Sequence, residues 1–446
     1  MRASLIILAF FLLHLSAATW PYPNSTNVTT FFTSLTNNSN YQSYVGYINV
    51  TDSGSNIFYQ LVTANNSNLN DTTKPLLVWL QGGPGCSSLF GLYTEIGPYI
   101  IGSDLSLIMN NNTYAQDNHL LFVEQPIGVG FSNISPQDQA PNYTTVAAKH
   151  FETFLVNFFK VYSFSTLASN DLYLIGESYA GHYIPAFASQ IIQNKAVNNL
   201  TTLQGVIIGD GWTDPERQLN GYDSYAYSIG LISNVRRNLY RDTQNNILQD
   251  IINGQFVEAS TLFDFITGTD PQFNQSIPNV AGNVNVYNYR QYNYSGLDGP
   301  LGTWLNSSNV KNNFTIYPST FNWLSCNNSM YYNFYDDISR SYKQNISFLL
   351  ENTRVLLYNG QNDIIVNTPS VENWIYSLEW SRSLDFLQTP KQNWLVNKTV
   401  VGTVKQLNPL TFVLVKNAGH MVPTDQPINA LNMVNRWLNN NTNWSN

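Results

Sequence analysis

The sequence predicts an α/β fold with a largely parallel central sheet and one long insertion. Three observations carry that prediction. Six short apolar runs recur along the chain without polar alternation, which fits strands covered on both faces. Amphipathic helical patterns lie between and after them, so strands alternate with helices. From about residue 211 to residue 335 the regularity stops, although aromatic residues stay abundant.

The expected strands are 75–80 (PLLVWL), 120–124 (LLFVE), 171–175 (DLYLI), 205–209 (GVIIG), 354–358 (RVLLY) and 411–415 (TFVLV). Between the second and third, Phe151, Phe154, Leu155, Phe158 and Phe159 fall on one helical face, and Tyr162 extends it. A helix closing the chain would place Ile428, Leu431, Val434 and Leu438 on its apolar side. The irregular region holds helical pieces near 236–266 and then VAGNVNVYNYRQYNYSGLDG at 280–299. So many aromatics argue against a disordered linker. An inserted cap over the strand ends, where an α/β sheet holds its site, is the expectation. The domain reading is therefore a signal peptide at 1–18, a first core part at 19–210, the cap at 211–335 and a second core part at 336–446.

The opening MRASLIILAFFLLHLSAATW reads as a secretory signal. Arg2 supplies the positive end, Leu5 to Leu15 the apolar core, and small residues lead to cleavage after Ala18. The apolar run is short for a bilayer span, so no membrane anchor is expected after cleavage. About nineteen N-x-S/T sequons agree with a secretory route, among them Asn24, Asn111, Asn274 and Asn397. The two cysteines, Cys86 and Cys326, are permitted to pair in that compartment or to remain two buried thiols. A net charge of −8 without any basic run excludes nucleic acid as a partner.

GESYAGHY, 176–183, follows the strand DLYLI and places Ser178 among small residues. Small neighbours suit a backbone bent sharply enough to present a hydroxyl at the tip of a strand–turn–helix, as in a nucleophile elbow. Ala180 fills the last glycine position of the usual G-x-S-x-G pattern. A serine hydroxyl needs a base, and the base an orienting carboxylate. Of five histidines, His14 lies in the signal, and His119, His150 and His182 read as structural. His420 lies in the loop KNAGHMVPTDQP just past TFVLV, and Asp363 in NGQNDIIV just past RVLLY. Ser178, Asp363 and His420 thus arise at three strand ends in the chain order of α/β-hydrolases. After the first core strand, LWLQGGPGCSS gives glycines whose N–H groups can approach a substrate oxygen. The expected oxyanion hole is the N–H groups of Gly83 and Tyr179. No cofactor or metal is expected.

Six segments in order, WLQGGPGCSS, FVEQPIGVGFS, GESYAGHYIP, GVIIGDGWTDP, YNGQNDIIV and AGHMVPTDQP, resemble the serine carboxypeptidase family, most closely its vitellogenic-like members. The resemblance covers the chain from about residue 45 to its end. It implies an α/β-hydrolase fold with a cap, acting on peptide or protein C-termini and releasing single residues at acid pH. It implies a Cys86–Cys326 disulfide, and a clamp for the substrate's terminal carboxylate from Gln81, Gly82, Glu95 and Glu177. Many relatives carry Asn where Gln81 stands, so the amide donor here is one methylene longer. A secreted or lysosome- or vacuole-like acidic destination follows from the same likeness. Two other readings are an acyltransferase on this scaffold and a catalytically silent secreted binding protein. The clamp residues favour a peptide terminus over the first, and the complete triad argues against the second.

Overall fold

The computed structural model describes residues 24–269, 272–292 and 298–445. The signal peptide expected at 1–18 lies outside the described residues. Among the described residues there are thirteen strands: β1 (Thr26–Asn27), β2 (Ser43–Asn49), β3 (Asn56–Val62), β4 (Leu76–Leu80), β5 (Tyr99–Ile101), β6 (Leu107–Met109), β7 (His119–Val123), β8 (Leu172–Glu177), β9 (Leu203–Gly209), β10 (Arg354–Gly360), β11 (Gln392–Val396), β12 (Thr399–Leu407) and β13 (Leu410–Val415). Eleven form one sheet in the order β1-β2-β3-β7-β4-β8-β9-β10-β13-β12-β11, and β5 and β6 form a separate antiparallel hairpin.

The middle of the sheet, from β7 through β4, β8, β9 and β10 to β13, is parallel throughout. These are the six strands that the apolar runs predict. Every residue of β4, β7 and β8 is buried. Alternate residues of β4 serve opposite faces: Leu76, Val78 and Leu80 join one hydrophobic core, Leu77 and Trp79 the other. That two-sided burial is why the runs carry no polar alternation.

Both flanks of the sheet are antiparallel and lie outside the expected strands. In β3 the reason is visible. Its seven residues are all buried, yet Asn56 and Gln60 interrupt the apolar run. The buried Gln60 amide is satisfied locally, donating to Ser43 Oγ at 3.0 Å and accepting from the Tyr93 hydroxyl at 2.7 Å.

The helix Thr144–Phe158 buries Phe151, Phe154, Leu155 and Phe158. It packs on the helix Ala180–Gln193, where the Phe151 and Phe187 rings stack at 4.7 Å. The helix ends at Phe158, and a 3₁₀ segment, Tyr162–Ser169, begins where the expected helical face was to continue. The closing helix, Pro427–Leu438, is present but turned from the expected face. It buries Ala430, Met433, Val434 and Trp437, while Ile428 is 60% exposed. The Trp437 indole takes the inward position, against the Tyr173 ring and beneath the Arg354 guanidinium. Its area outweighs that of Ile428.

Between β9 and β10 the chain forms helices, including Tyr222–Ser228, Asn234–Ile252, Phe256–Thr267 and Asn328–Asn333. Among the described residues this stretch adds no strand to the large sheet.

Candidate active site

The parallel strands deliver the expected site residues to one end of the sheet. Ser178 directly follows β8 and precedes the helix Ala180–Gln193. Its φ of 63° is the left-handed conformation that serine rarely adopts. The turn is pinned on both sides: Ser178 N–H donates to the Gly209 carbonyl at 3.0 Å, and the Ser178 carbonyl accepts from Gly181 and Trp212, each at 2.9 Å. The end of β9 therefore enforces the bend, and strain at Ser178 is held by the surrounding backbone.

Gly82 explains why LWLQGGPG must begin with glycines. A Cβ there would lie 2.5 Å from Tyr179 N and 2.7 Å from Ser178 Cβ. The loop can approach the elbow only without a side chain. Among the described residues, the N–H groups of Gly82, Gly83 and Tyr179 donate to no backbone acceptor. Tyr179 is fixed by its hydroxyl, which donates to Asp337 at 2.6 Å.

Asp363 and His420 form a tight pair after β10 and β13. His420 Nδ1 lies 2.7 Å from Asp363 Oδ2, and the other Asp363 oxygen accepts the Val366 N–H at 3.1 Å. Burial pushes the imidazole pKa down, but the charge and hydrogen bond of Asp363 and the charge of Glu177 push harder, and the net shift is upward. His420 Nε2 is buried without a hydrogen-bond partner. It shares with Ser178 the wall of a cavity of about 320 Å³, along with Gln81, Gly83, Glu177 and Tyr179.

Gln81 and Glu177, both expected in a carboxylate clamp, also meet. Gln81 Nε2 donates to Glu177 Oε1 at 2.7 Å, and Gln81 Oε1 accepts from the Trp79 indole at 2.8 Å. The indole thus fixes which end of the amide faces Glu177. Glu95, on the π-helical turn Leu92–Ile96, stands behind Glu177 and does not line the cavity. Its carboxyl pKa is pushed well above the usual range by burial and by the Glu177 charge; burial also raises Glu177. Gly82 lies beneath the elbow rather than on the cavity wall.

Cys86 and Cys326 form a disulfide across 240 residues of sequence, beside the cavity. Backbone bonds reinforce it: Ser87 N–H donates to the Ser325 carbonyl at 2.8 Å and Asn327 N–H to the Gly85 carbonyl at 2.9 Å.

Three groups escaped the sequence reading. Trp79 looked like core filling, and only its partner Gln81 reveals a second use. Tyr287 and Val286, from the irregular region, brace both loops: the Tyr287 carbonyl accepts from His420 N–H at 2.6 Å, and the Val286 carbonyl from Ile364 and Ile365 at 3.1 Å. Asp425 accepts from Gly419 N–H at 2.7 Å and shapes the histidine loop. Asp425 stood within the quoted AGHMVPTDQP, but a carboxylate that caps a loop carries no signature of its own.

Asp210, Asp363 and His420 offer donor atoms within 4.8 Å of one another. Within that cluster Nδ1 and Oδ2 lie at hydrogen-bonding distance, 2.7 Å, so Asp363 and His420 satisfy each other directly.

The chain matches the family model described as serine carboxypeptidase over residues 34–440. It is 34% identical over 426 residues to the probable serine carboxypeptidase CPVL of Dictyostelium discoideum, covering 94% of this chain and 83% of that one. To the carboxypeptidase Y of Candida albicans it is 37% identical over 408 residues, covering 89% and 73%. The crystal structure of Kex1, a prohormone-processing carboxypeptidase from Saccharomyces cerevisiae, superposes with a TM-score of 0.75 at 28% identity, covering 90% and 91%.

Proposed function

The chain belongs to the serine carboxypeptidase family, and from that premise we propose how its residues carry the reaction. It is a serine-type carboxypeptidase with an α/β-hydrolase fold, removing single residues from peptide C-termini. Ser178 is the nucleophile, His420 the general base and Asp363 its orienting acid. The observation that carries this assignment is the convergence of three strand ends on one cavity, with His420 held by Asp363 and sharing the cavity wall with the strained Ser178. Ser178 Oγ attacks the scissile carbonyl as its proton passes to His420 Nε2. The resulting oxyanion is met by the free N–H groups of Gly83 and Tyr179. His420 then returns the proton to the leaving amine, and the peptide remains esterified to Ser178. Water, deprotonated by His420, attacks that ester and frees the enzyme.

The stretch 211–335 acts as a cap over the site, and the disulfide ties it to the oxyanion loop. A route through the secretory pathway to an acidic compartment or the exterior fits the opening segment and the sequons. No described helix is long and apolar enough to cross a membrane.

The clamp sets the pH response. Glu95 and Glu177 share one buried site, so both do not ionise readily. At acid pH the shared proton donates to the substrate's terminal carboxylate, beside the second N–H of Gln81. As pH rises the proton leaves and like charges face each other, so peptide KM rises toward neutrality. The apparent pKa belongs to the pair.

Two experiments test this reading. A fluorophosphonate should label one site, and Ser178→Ala should abolish the labelling; equal labelling of the variant would refute the nucleophile assignment. Peptide KM measured from pH 4 to 8 should rise in the wild type and stay much flatter in Glu95→Gln and Glu177→Gln, whose amides keep a donor at every pH. Esters without a free carboxylate should show no such rise. If both variants keep the wild-type profile, the pair is not the acid switch.

A further inference from the structure

One buried carboxyl beside the site has no part in the mechanism above. Asp210 immediately follows β9 and is fully buried. Its φ of 45° is left-handed, and its N–H donates to the Tyr358 carbonyl at 2.8 Å. Its Oδ1 accepts the Gly360 N–H at 2.8 Å, so the side chain is aimed along the end of β10, toward the Asp363 loop. Its Oδ2 is buried with no donor facing it. Asp210, Asp363 and His420 all bring polar atoms within 4.8 Å of one another.

Among the described residues, the surroundings of Asp210 hold no compensating cation apart from the charge His420 carries. Asp363 and Tyr358 face it from β10 and the loop beyond, Glu177 from β8, and Tyr225 from the inserted helices. No lysine or arginine pairs with it among the described residues. Two ionised carboxylates at this spacing, both out of water, repel strongly, and one must keep a proton. Asp363 faces His420 Nδ1 and accepts a backbone N–H. Asp210 has the single backbone donor on Oδ1 and nothing on Oδ2.

We propose that Asp210 is a neutral carboxylic acid whose Oδ2–H donates to Asp363, making it a positioning residue for the catalytic acid. This rests on the assignment of Asp363 and His420 given above. The hydrogen bond does two things. It fixes the plane of the Asp363 carboxylate so that one oxygen meets Nδ1. It also draws charge from Asp363, which weakens the pull on the imidazolium and keeps His420 a free base at lower pH. An enzyme working in acid needs that second effect. Burial and the neighbouring Asp363 charge both push the Asp210 pKa well above the usual carboxyl range, in agreement with a retained proton.

Two substitutions separate the donor from the shape. Asp210→Asn keeps a neutral donor, whereas Asp210→Leu keeps the bulk without one. With a blocked dipeptide, Asp210→Asn should hold kcat within about threefold of wild type. Asp210→Leu should lose about tenfold or more in kcat with KM nearly unchanged, and its acid limb should move to higher pH. A second measurement does not need the leucine variant to fold. The infrared carbonyl stretch of a protonated carboxyl, recorded on wild type at pH 6, should lose one component in Asp210→Asn. Equal kcat and equal acid limbs in wild type and Asp210→Leu would overturn the proposal, as would an unchanged infrared band. So would Asp210→Asn falling as low as Asp210→Leu, since the donor would then be irrelevant. His420→Ala serves as the control: if it retains wild-type kcat, the triad assignment fails first, whatever Asp210 does.

Discussion

At the level of single residues, side chains near the cavity are set by partners that stand outside it. Trp79 is the clearest case. It is wholly buried in β4, and its indole N–H donates to Gln81 Oε1 at 2.8 Å. With that oxygen engaged, the amide nitrogen must face Glu177 and the substrate space. Trp79→Phe keeps an aromatic in the core and removes one donor, so the amide becomes free to reverse. A buried neutral hydrogen bond of this kind contributes about 1 kcal/mol, or roughly fivefold. The expected outcome is a peptide KM about five times higher, with ester kinetics unchanged. Equal losses on peptides and esters would mean that Trp79 acts through packing instead. Single residues were legible in the sequence where a turn announced them. Ser178, Asp363 and His420 each follow an apolar strand and stand among glycines or prolines. Asp210 stood in the quoted GVIIGDGWTDP without a role, because its effect depends on β9 and β10 being neighbours, and neighbours in a sheet are not adjacent in the chain.

At the level of elements, the parallel centre was legible and the antiparallel margins were not. The six central strands are apolar on both faces, so their runs stand out. The margins are half-polar, as in β11, where four of five residues are exposed or partly exposed, or carry satisfied polar residues, as in β3. The closing helix was found, but its inward face was misjudged, because aliphatic spacing was weighed above the single Trp437. Between elements, the decisive join is Cys86–Cys326. It links the loop that carries Gly83 to the stretch before the helix Asn328–Asn333. Closing about 240 residues in the unfolded chain corresponds to roughly 5 kcal/mol at most. Replacing both cysteines with serine should therefore lower the thermal midpoint by several degrees. It should also lower kcat more than it raises KM, because the loop proposed to meet the oxyanion is loosened. Unchanged kcat in a destabilised variant would show that the bond acts on stability alone.

At the level of the whole molecule, the buried carboxyls make a statement about pH. Glu95, Glu124, Glu177, Asp210 and Asp425 all have pKa values raised first of all by burial. Glu124 reaches about 7, although hydrogen bonds from Ser87, Phe131 and Trp323 oppose the rise. A group whose pKa is higher folded than unfolded binds its proton more tightly in the native state. The stability it contributes is complete below the unfolded pKa and is lost as pH rises through the folded one. For Glu124 that window runs from about 4.5 to about 7, and the loss is roughly 3 kcal/mol at its upper end. Raised His420 has the same sign. Three groups oppose it: burial lowers the pKa of His119, His150 and His182, so each disfavours the native state as pH falls below about 6.5. Asp138, held down to about 2 by three hydroxyls, likewise loses its contribution only in strong acid. Above pH 6.5 those histidines are neutral in both states and drop out. The fall in stability from there to pH 8 then belongs to the carboxyls and His420. Thermal midpoints should accordingly decline from about pH 6.5 to pH 8. Glu124→Gln cannot lose a proton, so its decline around pH 7 should be shallower than that of the wild type. Scanning calorimetry across pH 4 to 8 decides it: a midpoint that stays level or climbs toward pH 8 would mean that these carboxyls are already ionised in the native state.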